Sequence, residues 1–141
     1  MRIFLITLSI LLTSIGSIMA KNLYNFSIQD IDGNTVNLDK FKGKPILLVN
    51  TASRCGFTKQ YANLSNLHRE YFKKNLVIIG TPSNSFHQEL SNNEEVKEFC
   101  LVNYETKFII SEIISVVGEN AHPIYLSLIH IYEPTRHSSI S

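Results

Sequence analysis

Tryptophan is missing from this chain, and cysteine occurs only twice in its 141 residues. Two cysteines, Cys55 and Cys100, are too few for a disulfide-stapled scaffold, and their separation is not a zinc-site spacing. The five histidines also lack ligand spacing, so no metal site is expected. Neither sign of charge dominates. Thirteen Lys and Arg against twelve Asp and Glu give a net charge of +1, which removes any electrostatic case for nucleic acid or an acidic surface. No internal repeat or low-complexity stretch occurs. What remains is an ordinary apolar content, 44% of residues with 18% charged. That supports one globular domain with a modest core.

The first twenty residues, Met1 to Ala20, read as a targeting segment. Arg2 supplies a short basic region, Ile3 to Ile15 an apolar run, and Gly16, Ser17 and Ala20 the small residues of a cleavage site. The run is short of the ~20 apolar residues that a membrane span needs. Cleavage after Ala20 and export to a secreted or periplasmic location are expected, with an uncleaved membrane anchor as the alternative. No cysteine lies at the cleavage point, which argues against a lipid anchor there.

Beyond it, Tyr24–Ile28 and Thr35–Leu38 are short alternating runs around Asp32-Gly33, the signature of a β-hairpin. Pro45–Val49 and Leu76–Ile79 are apolar runs that read as parallel strands buried on both faces. Between them Tyr61, Leu64, Leu67 and Tyr71 recur at helical spacing, with Thr58 as the expected cap, Lys73 and Lys74 at the far end and Asn75 at the exit. Strand, helix, strand makes a βαβ unit. Ser91-Asn-Asn-Glu94 reads as a capping box opening a second helix, with Val96, Phe99 and Cys100 on one face. His122-Pro123 reads as a turn or helix start.

Cys55 falls where the first buried strand turns into the helix. Unpaired N–H groups and the positive helix end favour an anion there, and Arg54 adds a charge. A free thiol with a pKa of ~8.5 is about 3% thiolate at neutral pH; lowered to roughly 6 by such a setting it would be about 90% thiolate. Gly56 permits close backbone approach beside the sulfur.

Five strings carry a resemblance: NTASRCGFTKQY, LVIIGTPSN, QEL, SNNEEVKEFCLVNY and GENAHPIY. In this order they are similar to the glutathione peroxidase family of the thioredoxin-like superfamily, over Leu23 to Tyr125. The resemblance implies an α/β fold, a thioredoxin-like βαβ core with an N-terminal β-hairpin, lacking the family's C-terminal strands. It implies a domain over residues 21–125, preceded by the signal peptide of residues 1–20. It implies a thiol peroxidase active in the response to oxidative stress, reducing hydrogen peroxide and organic or lipid hydroperoxides. Cys55 would attack the peroxide and become a sulfenic acid. Gln88 would donate to the sulfur and the departing oxygen, although a one-residue deletion separates it from the family's spacing and His87 stands in the shortened stretch. Cys100 would be the resolving cysteine; periodicity alone places it on a core face. Ser83 stands where some members carry a further cysteine, and Ile109 where the family has proline after phenylalanine. No bound cofactor is implied, and the reducing co-substrate would be a thioredoxin-type dithiol or glutathione. No nucleic-acid partner and no membrane span after cleavage are expected.

The family's Trp and Asn donors have no counterpart here. Losing one preorganised donor at a developing oxyanion costs about 10² to 10³ in rate, so weak turnover is expected of the chain as written. Leu126–Ser141 departs from the family pattern and is similar to translated sequencing-adapter reads, so residues 126–141 are expected to be a divergent tail or sequence artefact. Two other readings remain open: a thiol redox sensor or relay, and an inactive truncated fragment.

Overall fold

The computed structural model describes residues 22–132. The expected targeting segment, residues 1–20, and residues 133–141 of the expected divergent tail lie outside the described residues. Two strands, β1 (Ser27–Gln29) and β2 (Thr35–Asn37), form the expected antiparallel hairpin, with Ile28 opposite Val36. Its turn is built by Asp30, whose carboxylate accepts the N–H groups of Asp32 at 3.0 Å and Asn34 at 2.8 Å, and by Gly33 at φ +81°.

The main sheet has three parallel strands in the order β3 (Ile46–Thr51), β4 (Val77–Pro82), β5 (Ile109–Ile110). Helix α1 (Gln60–Tyr71) connects β3 to β4, and α2 (Asn93–Tyr104) lies between β4 and β5. Ile31 N–H donates to Ile110 O at 2.8 Å and Glu112 N–H to Gln29 O at 3.0 Å, which joins the hairpin to β5. Helix α3 (Pro123–Tyr132) begins after His122, whose Nδ1 accepts the Ile124 N–H at 3.3 Å; the pair is a helix start, as expected. The helix runs through Tyr125 without a break.

β4 is the centre of the molecule. Successive side chains of a strand point to opposite faces. Ile78 therefore joins Tyr61, Val96, Cys100 and Phe108 under α1 and α2, while Ile79 joins Ile28, Val36, Leu38 and Ile124 on the other face. Gly80 allows close packing: a Cβ there would meet Ile110 Cδ1 at 3.0 Å and Phe108 Cε2 at 3.1 Å.

Three local expectations need correction. β3 is half-buried from Ile46 to Val49, not buried on both faces, because among the described residues it is the outer strand of its sheet. The α2 box is displaced by one residue: Asn92 caps, accepting the Glu95 N–H at 2.9 Å, and Glu95 reaches back to the Ser91 N–H at 3.4 Å. Thr58 does not cap α1, which begins at Gln60. The α1 exit follows expectation, with Asn75 left-handed at φ 68° after a short 3-10 turn at Phe72–Lys74.

Candidate active site

β3 and β4 end side by side, Thr51 opposite Pro82, and the loop from Ala52 to Lys59 rises from that end of the sheet. Thr58 organises it from inside. Its hydroxyl oxygen accepts the Cys55 N–H at 2.9 Å, and its proton faces the carbonyl oxygens of Ala52 at 2.9 Å and Cys55 at 2.7 Å. A threonine hydroxyl can close a turn behind it as well as cap a helix ahead of it, and here it does the former. The loop leaves Cys55 half-buried, with its Sγ accepting the Phe57 N–H at 3.5 Å.

A second loop, Ser83 to Leu90, locks onto the first. Arg54 N–H donates to Gln88 O at 2.8 Å, and Ser53 N–H donates to Glu89 Oε1 at 3.0 Å. The same carboxylate oxygen accepts the Leu90 N–H at 2.8 Å. These bonds carry Gln88 into the cleft that holds Cys55, a space of about 380 Å³ walled by Val49, Asn50, Tyr61 and Thr58. The second loop contains His87 in the left-handed region, at φ 58°. Phe57 and Phe86, 72% and 52% exposed, flank the cleft and give it an apolar rim.

Cys100 is elsewhere. It is 1% exposed on α2 and does not line the Cys55 cleft. It borders a separate groove with Asp30, Lys97 and Thr106. Burial pushes its thiol up to about 11; contact with the Tyr61 hydroxyl opposes the shift and the Glu89 charge adds to it. Both cysteines are free thiols. The structure thus brings Cys55 and Gln88 into one cleft and leaves Cys100 outside it.

Glu89 and Tyr61 matter more than the sequence suggested. Glu89 is only 5% exposed, and its second oxygen, with the hydroxyls of Thr51, Ser53 and Tyr61, is buried without a hydrogen-bond partner. The Tyr61 phenol is pushed up, first by burial and then by the neighbouring Cys100. Glu89 stands in the QEL string, but nothing in its spacing marks a carboxylate that turns inward. Tyr61 reads from periodicity only as a core residue. Among the described residues no cluster of His, Cys, Asp and Glu could hold a metal ion.

The sequence profile described as Glutathione peroxidase matches residues 23–129. The glutathione peroxidase of Lactococcus lactis is 43% identical over 105 residues, covering 74% of this chain and 67% of the relative. Glutathione peroxidase-like peroxiredoxin 2 of Saccharomyces cerevisiae is 42% identical over 108 residues, covering 76% and 67%. Among solved structures, Trgpx in its apo form superposes with a TM-score of 0.59 at 33% identity, over 79% of this chain and 65% of that one. This chain spans about two thirds of the length of these relatives. By this profile match and these relatives, the chain belongs to the glutathione peroxidase family and has its thioredoxin-like fold.

Proposed function

We propose that the chain is a thiol peroxidase in which Cys55 is the attacking group. The Cys55 thiolate attacks one oxygen of a hydroperoxide, the O–O bond breaks, and the products are a Cys55 sulfenic acid and an alcohol or water. Gln88 donates from the cleft wall to the sulfur and to the departing oxygen. Cys100 then attacks the Cys55 sulfur; the sulfenic oxygen leaves as water, and a disulfide forms that a thioredoxin-type dithiol or glutathione reduces. The observation that carries this reading is the Cys55 sulfur in an open cleft, facing the Phe57 N–H and sharing the space with Gln88. The apolar rim of Phe57 and Phe86 supports organic and lipid hydroperoxides alongside hydrogen peroxide. The apolar Met1–Ala20 segment supports export, which N-terminal sequencing of the secreted protein would test.

The experiment is single-turnover oxidation with one equivalent of peroxide. Cys55→Ser should consume none. Cys100→Ser should stop at a sulfenic acid trapped by dimedone, and the parent chain should yield a Cys55–Cys100 linked peptide. Peroxide consumption by Cys55→Ser at the parent rate would end the proposal.

A second reading has its own observation. Cys100 is buried, its thiol pushed up to about 11, and it opens to a different groove from Cys55. A slow resolving step would leave the sulfenic acid time to meet a partner thiol, the behaviour of a redox relay. Mixed disulfides with an added protein dithiol, formed faster than the internal bond, would favour it.

A further inference from the structure

A second cavity lies at the opposite end of the sheet from Cys55. It is about 340 Å³, close to the size of the active-site cleft, and is bordered by the first residues of β4 and β5. Small-molecule sites fall in this size range when an apolar floor meets a few polar groups. Here the floor is aromatic, with Phe41, Phe72 and Phe108, and Phe72 is 63% exposed. The polar groups have one sign. Lys44, Lys73 and Lys107 line the cavity from three separate segments of chain, and no carboxylate residue lines it.

Elsewhere, Lys97 pairs with Asp32, Lys40 sits over the Phe41 ring and Lys74 over the Tyr71 ring. Among the described residues, Lys44, Lys73 and Lys107 form no ion pair. His68 extends the aromatic wall: its ring packs 5.1 Å from Phe72 and 6.2 Å from Phe108.

We propose that this cavity binds an amphiphilic anion of the long-chain carboxylate class, with the apolar chain on the Phe41, Phe72 and Phe108 floor and the carboxylate among Lys44, Lys73 and Lys107. Apolar burial supplies the attraction for the chain. Three ammonium groups with no competing acid supply the sign of the headgroup. The site is independent of the peroxidase reading, because none of its residues lines the Cys55 cleft.

The test is calorimetric titration of the full chain with dodecanoate and, separately, with dodecyltrimethylammonium. Dodecanoate should bind saturably at one site, at least about tenfold more tightly than the cation of equal chain length, and the Lys44→Gln, Lys107→Gln double variant should weaken it about tenfold or more. Amide chemical shifts in the parent protein keep the question open to an answer if that variant folds poorly: dodecanoate should move Lys44, Lys73, Lys107 and Phe108, and not Cys55 or Gln88. Equal binding of anion and cation, shifts confined to the Cys55 cleft, or no saturable binding would each overturn the proposal. Failure here leaves peroxide consumption by Cys55 untouched, and loss of peroxidase activity in Cys55→Ser leaves dodecanoate binding intact.

Discussion

Cys55 and Cys100 share Tyr61 as a neighbour, yet they occupy opposite chemical settings. Cys55 rides on a loop, half-exposed, with a backbone N–H on its sulfur. Cys100 sits on a regular helix, 1% exposed, among Ile78, Val96 and Phe108. The same side chain is thus presented to chemistry in one place and packed as a small hydrophobe in the other. In this fold the loop presents a thiol to solvent and the helix encloses one.

The sharpest way to break that contrast is alkylation. At pH 7.5, iodoacetamide should modify Cys55 at least about 100-fold faster than Cys100, since burial and a raised pKa both suppress the second thiol. Peptide mapping of partially labelled protein measures the ratio, and equal labelling would erase the distinction.

Next in size is Glu89, which ties the Cys55 loop to the Gln88 loop. Glu89→Ala strands the buried N–H groups of Ser53 and Leu90 and should cost about 1–3 kcal/mol of stability. Glu89→Gln keeps an acceptor oxygen and should cost less. Denaturant melts of both variants check this; indistinguishable losses would mean that the charge, not the acceptor, holds the loops.

A pH series sharpens the comparison from the Cys100 side. Its folded pKa of about 11 lies above the ordinary range of a free thiol. A raised pKa means that the folded state holds the proton more tightly, so the stabilising contribution is complete below about pH 9 and is lost as pH rises toward 11. Melting temperature should therefore fall over that window in the parent chain and fall less in Cys100→Ala. Parallel curves would show that the thiol ionises equally in both states.

The smallest effect is expected at Tyr61. Its hydroxyl is buried with no hydrogen-bond partner. Tyr61→Phe removes an unsatisfied group and keeps the ring stacked 5.3 Å from Tyr104, so stability should stay within about 1 kcal/mol of the parent or rise. A larger loss in a thermal melt would reveal a partner, such as an ordered water, for that hydroxyl.

The hairpin and the βαβ unit were legible because their signals are local. Asp32-Gly33 marks a tight turn whatever surrounds it, and the period of Tyr61, Leu64 and Leu67 fixes a helix face. Cys55 was expected where the strand turns into the helix end; it stands instead in the Ala52–Lys59 loop, five residues before α1 begins at Gln60, so the helix-end argument for an anion there does not apply. The other misreadings have different causes. Thr58 and Asn92 carry short polar side chains that can bond in more than one direction within a few residues, Thr58 turning back to Cys55 and Ala52 and Asn92 forward to Glu95, while the turn of Glu89 inward is set by Ser53 in a loop distant in sequence. The exposure of β3 was misread because four apolar residues in a row do not say whether a neighbouring strand is present. The placement of Cys100 on a core face followed from helical period; its separation from the Cys55 cleft did not.

The outer edge of β3 has one more consequence. Val49 and Asn50 lie on that edge and also wall the cleft around Cys55. A sheet edge is a template for another backbone. Among the described residues, any backbone laid along that edge would set its side chains at the mouth of the cleft around Cys55, so the pairing of the edge and the shape of the cleft are a single structural problem, and a change made to one will retune the other.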